Sequence, residues 1–387
     1  MIPGMAIIAM LVAGWGWNKL RRRGLTRCVV PYLLQSQRRR TVRVGEEVHA
    51  LLCIADHFEP QWAGPSAACA QDRVNRWVRE YSQLFGEFRD SDGRPPRHTF
   101  FFPADQYESR HVEALAGLCR QGFGEVEVHL HHDGDTADHL RRTLEQYKSL
   151  LAERHGLLSR RRKSGDIVFG FIHGDWALDN SRADGRHCGV NNELDVLRET
   201  GCYADFTLPS APSSTQTKKI NAIYYAKDDP ARPKSHDWGT DIGTGSVVPP
   251  DCLMLIQGPL LLDVGRRRIE NGCIQASQPA DMHRLDLWLK ANVHVPYRPD
   301  WRFIKLHTHG APEANQKILL GQSMLDFHRG LQQRAAANRH FHFHYVTARE
   351  MFNLAKAAEA GYAGRVAEAL DYELIPNISA RPLAVAV

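Results

Sequence analysis

The sequence has no Cys-x-x-Cys pair, and no Gly-x-Gly-x-x-Gly or P-loop follows any apolar run. Its eight cysteines are scattered, several of them in apolar segments such as residues 51–54. Neither a zinc ribbon nor a disulfide framework is encoded, and the thiols read as buried and reduced. Nucleotide binding has no support. Long apolar runs are missing too: the longest, residues 2–17, has sixteen residues, short of the roughly 20 that span a bilayer. Acidic residues are absent from the first 45 positions, which hold nine Lys or Arg.

That last absence reinterprets the net charge. The 387-residue chain is formally +5, but residues 46–387 carry 40 bases against 44 acids and are net −4. The basic charge is confined to a leader rather than spread over a folded face, which excludes a nucleic-acid partner. In the leader the positive charge follows the apolar segment, the reverse of a secretory signal. Residues 1–45 therefore read as a membrane-associating leader, and positive-inside logic places the body at the cytoplasmic face of a membrane. With 43% hydrophobic and 24% charged residues, the rest is a globular body.

From residue 46 onward apolar strand patterns alternate with helical ones. Strands are expected at 48–55, 99–102, 125–131, 167–172, 203–208, 253–264, 303–307 and 342–346. Helices are expected at 72–84, 111–120, 137–155, 191–200, 282–292, 316–337 and 348–359. The fold class is α/β, a distorted (β/α)7-8 barrel of parallel strands over residues 46–387, with a long irregular insertion at 209–280. A doubly wound open sheet is the alternative.

Histidine is in surplus, twenty residues in all, and much of it falls just after strands. The first strand runs into Asp56, His57 and Glu59, the second into Asp105. The third ends in His129, His131, His132 and Asp133, and the fourth in His173, Asp175 and Trp176, with Asp179 and Asn180 behind. The strand at 303–307 ends in His307 and His309. Parallel barrels place their active sites at these strand ends, so the rim is a candidate metal or acid–base site. His129 and His131, two apart on a strand, point to one face and can grip one zinc ion. A similar pair, His342 and His344, sits mid-strand and reads as structural.

The order of these residues resembles the polysaccharide deacetylase superfamily, the NodB-like carbohydrate esterases. Cys53-Ile54-Ala55-Asp56-His57 resembles that family's first motif, which makes Asp56 the base and His57 a metal ligand. Glu125 and His129 share the spacing of its second motif, and Phe303-Ile304-Lys305-Leu306-His307 resembles its last. Two departures stand out: position 133 is Asp where a second metal His is usual, and His173-Gly174-Asp175-Trp176 occupies the place of an Arg-Pro-Pro-Tyr-like motif. The third ligand then falls to His131, His132 or Asp133, and strand geometry favours His131.

The resemblance implies a metal-dependent deacetylase of an N-acetylated amino sugar or surface polysaccharide precursor, with one divalent ion, zinc for preference, on His57, His129 and His131. Asp56 would take the proton of the attacking water, His307 would protonate the leaving amine, and Asp175 would orient an imidazole. His173, Trp176, Asn180 and His309 would contact substrate, with Trp62 and Trp238 as further stacking surfaces. Three other readings use the same rim: an amidohydrolase-type metal enzyme, a glycoside hydrolase on Asp56, Glu59 and Asp175, and a degenerate barrel that binds glycan.

Overall fold

The computed structural model describes residues 39–243 and 248–377, preceded by residues 26–35 and parts of 14–21. Helix α1 (Thr26–Leu34) belongs to the leader, yet it does not stand apart from the body. Cys28 is buried against Ala211, Ile220 and Leu260 of the 209–280 segment, and the Gln35 amide donates to the Ile220 carbonyl at 2.6 Å. Among the described residues no helix is long and apolar enough to cross a membrane. The apolar stretch 2–17 lies almost wholly outside them.

The body begins with β1 (Val48–His57), followed by α2 (Ala67–Phe85), β2 (His98–Pro103), α3 (Ser109–Arg120), β3 (Gly124–Leu130), α4 (Ala137–Ser149), β4 (Ser159–Arg161) and β5 (Ile167–His173). Several helices start at a side-chain cap. Ser66 caps α2 by accepting the Cys69 amide, and Thr136 caps α4 by accepting that of His139; such caps contribute about 1 kcal/mol each. After α5 (Glu193–Glu199) and β6 (Cys202–Asp205) comes the insertion, with β7 (Ile223–Lys227), β8 (Thr240–Asp241), β9 (Cys252–Ile256), β10 (Leu261–Asp263) and β11 (Arg268–Glu270). The chain finishes with α6 (Met282–Ala291), β12 (Trp301–Thr308), α7 (Glu313–Leu319), α8 (Gln322–Ala337), β13 (Phe341–Tyr345), α9 (Ala348–Glu359), α10 (Val366–Ala369) and β14 (Leu374–Pro376).

Twelve strands form one mostly parallel sheet whose main path runs β12-β1-β2-β3-β5-β6-β9-β7-β8, with β13 beside the start of β1. The expected barrel is not closed. In the insertion β7 runs antiparallel to β9, so the sheet ends on antiparallel strands rather than returning to β12. At the other edge, among the described residues, β12 meets a single bridge, between Cys273 and His307. Two further expectations are corrected. Residues 253–264 form two strands, β9 and β10, and residues 316–337 form two helices, with Gly321 as the N-cap of the second.

Strand residues alternate between two cores. Val48, Ala50 and Leu52 face the outer helices with Val74, Trp77 and Leu115. Leu51, Cys53 and Ala55 face inward with Phe303, Ile256 and residues of α9. Helix α9 is buried along nearly its whole circumference. Each wholly buried apolar side chain there, such as Met351 or Leu354, contributes about 1.5–3 kcal/mol. Its polar residues are matched: Arg349 pairs with Glu125 at 2.8 Å, and Glu350 is gripped by Arg94 and Arg97.

Candidate metal centre

Because β1, β3, β5 and β12 are parallel, their C-terminal ends share one edge of the sheet, and the polar residues that follow them meet there. Ala55 is paired with His307 and Asp56 with Thr308, so His57 and His309 come next to each other, with ring centroids 4.7 Å apart. Pro103 is paired with His129, whose ring lies 5.0 Å from that of His57. His131, two residues further, lies 4.6 Å from the His129 ring. The three expected ligands are thus together, and His309 joins them as a fourth histidine.

Their common neighbour is Glu59. Its Oε1 lies 3.2 Å from His129 Nε2, 3.6 Å from His131 Nε2 and 3.9 Å from His309 Nε2. Two overlapping donor groups result: His57, Glu59 and His309, and Glu59, His129 and His131. Glu59 is legible in the sequence only as a possible glycosidase carboxylate. Its signal is the spacing His57-x-Glu59, the same period of two that puts His129 beside His131.

The electrostatics suit a cation. His129 Nδ1 sits 2.7 Å from the Ile172 carbonyl. A carbonyl only accepts, so Nδ1 carries a proton, and Nε2 is the ring atom that faces Glu59. His57 Nε2 is buried with no hydrogen-bond partner. Burial pushes the His57 imidazole well below its usual range, and the neighbouring His309 and His129 push the same way. Burial alone would raise Glu59; hydrogen bonds from His129 and His131 override it and hold the carboxyl far below the ordinary range. Hydrogen bonds to Asp105 and Glu59 raise His131 to about 10 against its burial, so the imidazoles held neutral beside the carboxylate are those of His57 and His309, the kind of donor a divalent ion binds.

One side of the cluster is open. His131 is 26% exposed and its Nδ1 lies 3.1 Å from Asp105 Oδ1. The ring packs so closely on Gly174 that a Cβ there would fall 2.3 Å from His131 Cδ2. Trp62, 47% exposed, lies with its ring 5.3 Å from His309, and the Trp176 ring is 5.8 Å from His309 and 5.9 Å from His57.

Other expected residues are placed differently. Asp56, expected as base, is turned to the helix side of β1, as strand alternation from His57 requires. Its Oδ2 is 2.8 Å from His98 Nε2 and its Oδ1 accepts the Gly310 amide at 2.6 Å. It positions the turn that carries His309; a Cβ at Gly310 would fall 2.0 Å from Oδ2. His307, expected to protonate the leaving group, lies outside both donor groups. Burial, with Lys305, His309 and Arg284, holds it well below its usual range, and a neutral imidazole is a poor acid. Asp175 orients an imidazole, but that of His187 at 3.0 Å. Asn180 stitches its own loop, donating to Asn191 Oδ1 at 2.9 Å and accepting the Gly189 amide. Asp133 accepts the His187 amide, and Trp238 lies under Lys218.

His173, expected at the substrate, belongs to a second cluster with His132, Cys188 and Glu193. His342 joins Glu47 and His49 near the opposite end of β1, half-exposed. Set against known proteins, the chain matches no family model and no curated protein.

Proposed function

We propose that the chain is a metal-dependent hydrolase that removes N-acetyl groups from an amino sugar or a surface-polysaccharide precursor, at the strand ends of an open, mostly parallel α/β sheet. The observation that carries this reading is the convergence of His57, His129, His131 and His309 on Glu59 at one strand edge. On this reading Glu59, His57, His129 and His309 hold one divalent ion, zinc by donor type. Bound there, the ion supplies Lewis-acid activation of water and of the amide carbonyl.

The chain's own groups do the rest. His131, held by Asp105 through Nδ1, turns Nε2 toward the cluster and carries the proton between the attacking water and the leaving amine. Trp62 and Trp176 offer flat apolar surfaces to a sugar ring and exclude water beside the acyl group. Asp56 acts at one remove, fixing Gly310 and so His309. The basic leader would keep the enzyme at the cytoplasmic face of a membrane, near a lipid-linked or growing glycan.

The test is acetate release from N-acetylhexosamine oligomers by chelated protein given back zinc, beside Glu59→Gln and His129→Ala. Zinc-dependent acetate release that both substitutions abolish is expected. New reducing ends without acetate would make the protein a glycosidase. Neither product, with His129→Ala indistinguishable from wild type, would leave a glycan-binding protein.

A further inference from the structure

The second cluster lies on the other face of the same strands. Strand alternation sends His129 to the inner face, while Leu130, paired in register with His173, faces the helices. The His173 side chain therefore points away from Glu59 and toward His132, its ring centroid 4.7 Å away. Glu193, in the first turn of α5, and Cys188, in the preceding loop, complete the group. One donor atom from each of the four lies within 4.8 Å of all the others.

The separations of the two imidazoles from Glu193 Oε1 are close to those around a tetrahedral ion, while the thiol lies nearer the second carboxylate oxygen and within 4.8 Å of the other donors. Zinc bonds of about 2.0–2.1 Å to nitrogen or oxygen and about 2.3 Å to sulfur put neighbouring donors roughly 3.3–3.6 Å apart. His132 Nε2 is 3.1 Å and His173 Nε2 3.4 Å from Glu193 Oε1. Cys188 Sγ is 3.5 Å from Glu193 Oε2.

A purely hydrogen-bonded cluster leaves one atom unexplained. His173 is completely buried, and its Nδ1 lies 2.6 Å from the Gly174 carbonyl, to which it must donate. The neutral ring then carries a lone pair on Nε2, which has no hydrogen-bond partner and faces a carboxylate oxygen. Two buried lone-pair bearers facing each other are costly. A cation between them removes the cost.

We propose that His132, His173, Cys188 and Glu193 form a closed, four-ligand structural zinc site, separate from the Glu59 centre. All four positions are filled by protein, which leaves none for water or substrate. Its consequence is local. The loop from residue 174 to 192 holds Asp175, Trp176, Asp179, Asn180 and His187 at positive φ, a conformation costly for residues other than glycine. An ion on Cys188 and Glu193 pins that loop to β3 and β5, and with it Trp176 above the catalytic cluster.

The experiment loads chelated full-length chain with Co²⁺ or Zn²⁺ and measures equivalents bound and the electronic spectrum. Only the second site contains sulfur, so cobalt there gives a thiolate-to-metal charge-transfer band in the near ultraviolet. We expect two equivalents with the band in wild type, one with the band in His129→Ala, and one without it in Cys188→Ser. Folded wild-type protein that binds no second equivalent and shows no band overturns the site, as does a band that survives Cys188→Ser. Should Cys188→Ser not fold, zinc-edge X-ray absorption on wild type replaces it, and a shell of nitrogen and oxygen alone overturns the proposal. A band with no acetate release under any condition keeps this site and removes only the catalytic reading.

Discussion

The Glu59 and Glu193 clusters are built from nearly the same parts and differ in access. Both set histidines around one carboxylate, and in both a backbone carbonyl claims Nδ1 of a buried histidine so that Nε2 turns to the carboxylate. Around Glu59 one side is open, with exposed Trp62 and half-exposed His131 at the mouth. Around Glu193 every donor residue but His132 is fully buried, and a thiol stands where the first cluster has its opening. A site with an open position can do chemistry, while a saturated one can only hold structure. Beyond the one thiol, donor type does not separate the two; exposure does.

Substitutions should break this contrast in order of size. Glu59→Gln or His129→Ala should lower acetate release by about 10²–10⁴-fold or more, the isosteric Glu59→Gln with little change in unfolding midpoint; an assay with both variants near wild-type rate defeats the division of labour. Glu193→Ala should do the reverse, costing roughly 3–5 kcal/mol of stability by leaving His132 and His173 without their buried partner, read by chemical denaturation; an unchanged midpoint contradicts it.

Asp105→Asn should cost about 10–100-fold in rate and move the pH profile while leaving metal content intact. Metal lost on His131→Ala would instead make His131 a ligand. The smallest effect is expected at Trp62→Ala, a several-fold rise in KM with kcat nearly unchanged, since one stacked ring contributes about 1 kcal/mol.

Acid should separate metal binding from folding. Histidine ligands must be neutral, so both clusters should release metal as pH falls below about 6. Glu350 behaves differently. Burial would raise its pKa, but Arg97, Arg94 and Arg349 bring it down to about 2 from the ordinary 4.5. Its folded pKa is lowered, so its contribution is complete above pH 4.5 and is lost as pH falls toward 2. Circular dichroism at pH 5 should show folded, metal-free protein; unfolding that coincides with metal release would merge the two events.

What the sequence revealed follows what is local in it. Buried strands are continuous apolar runs, so β1, β2, β3, β5 and β12 are readable to within a few residues, and the histidines at their ends with them. Asp56 was legible as a residue but not as to role, because its partners His98 and Gly310 lie 42 and 254 positions away. Glu193 looks like an ordinary acid in a helix's first turn, and Cys188 like a small hydrophobe. Strand β7 escaped notice among prolines and glycines, and with it the antiparallel edge that leaves the barrel open. Helix α9 reads as amphipathic, yet its polar side is buried, because Glu125, Arg94 and Arg97 come to meet it from far along the chain.

The place of β13 and α9 has a consequence in time. β13 pairs with β1 across almost 300 positions, Val48 with Phe341 through Leu52 with Tyr345, and α9 follows it onto the inner face of the sheet. During synthesis the inner faces of β1, β2, β5 and β6 therefore wait, apolar and uncovered, until residues 341–359 leave the ribosome. Closing so long a loop is slow, and an uncovered face is prone to aggregation. Nascent chains of this protein should depend on holding chaperones until the last helix arrives to finish the fold.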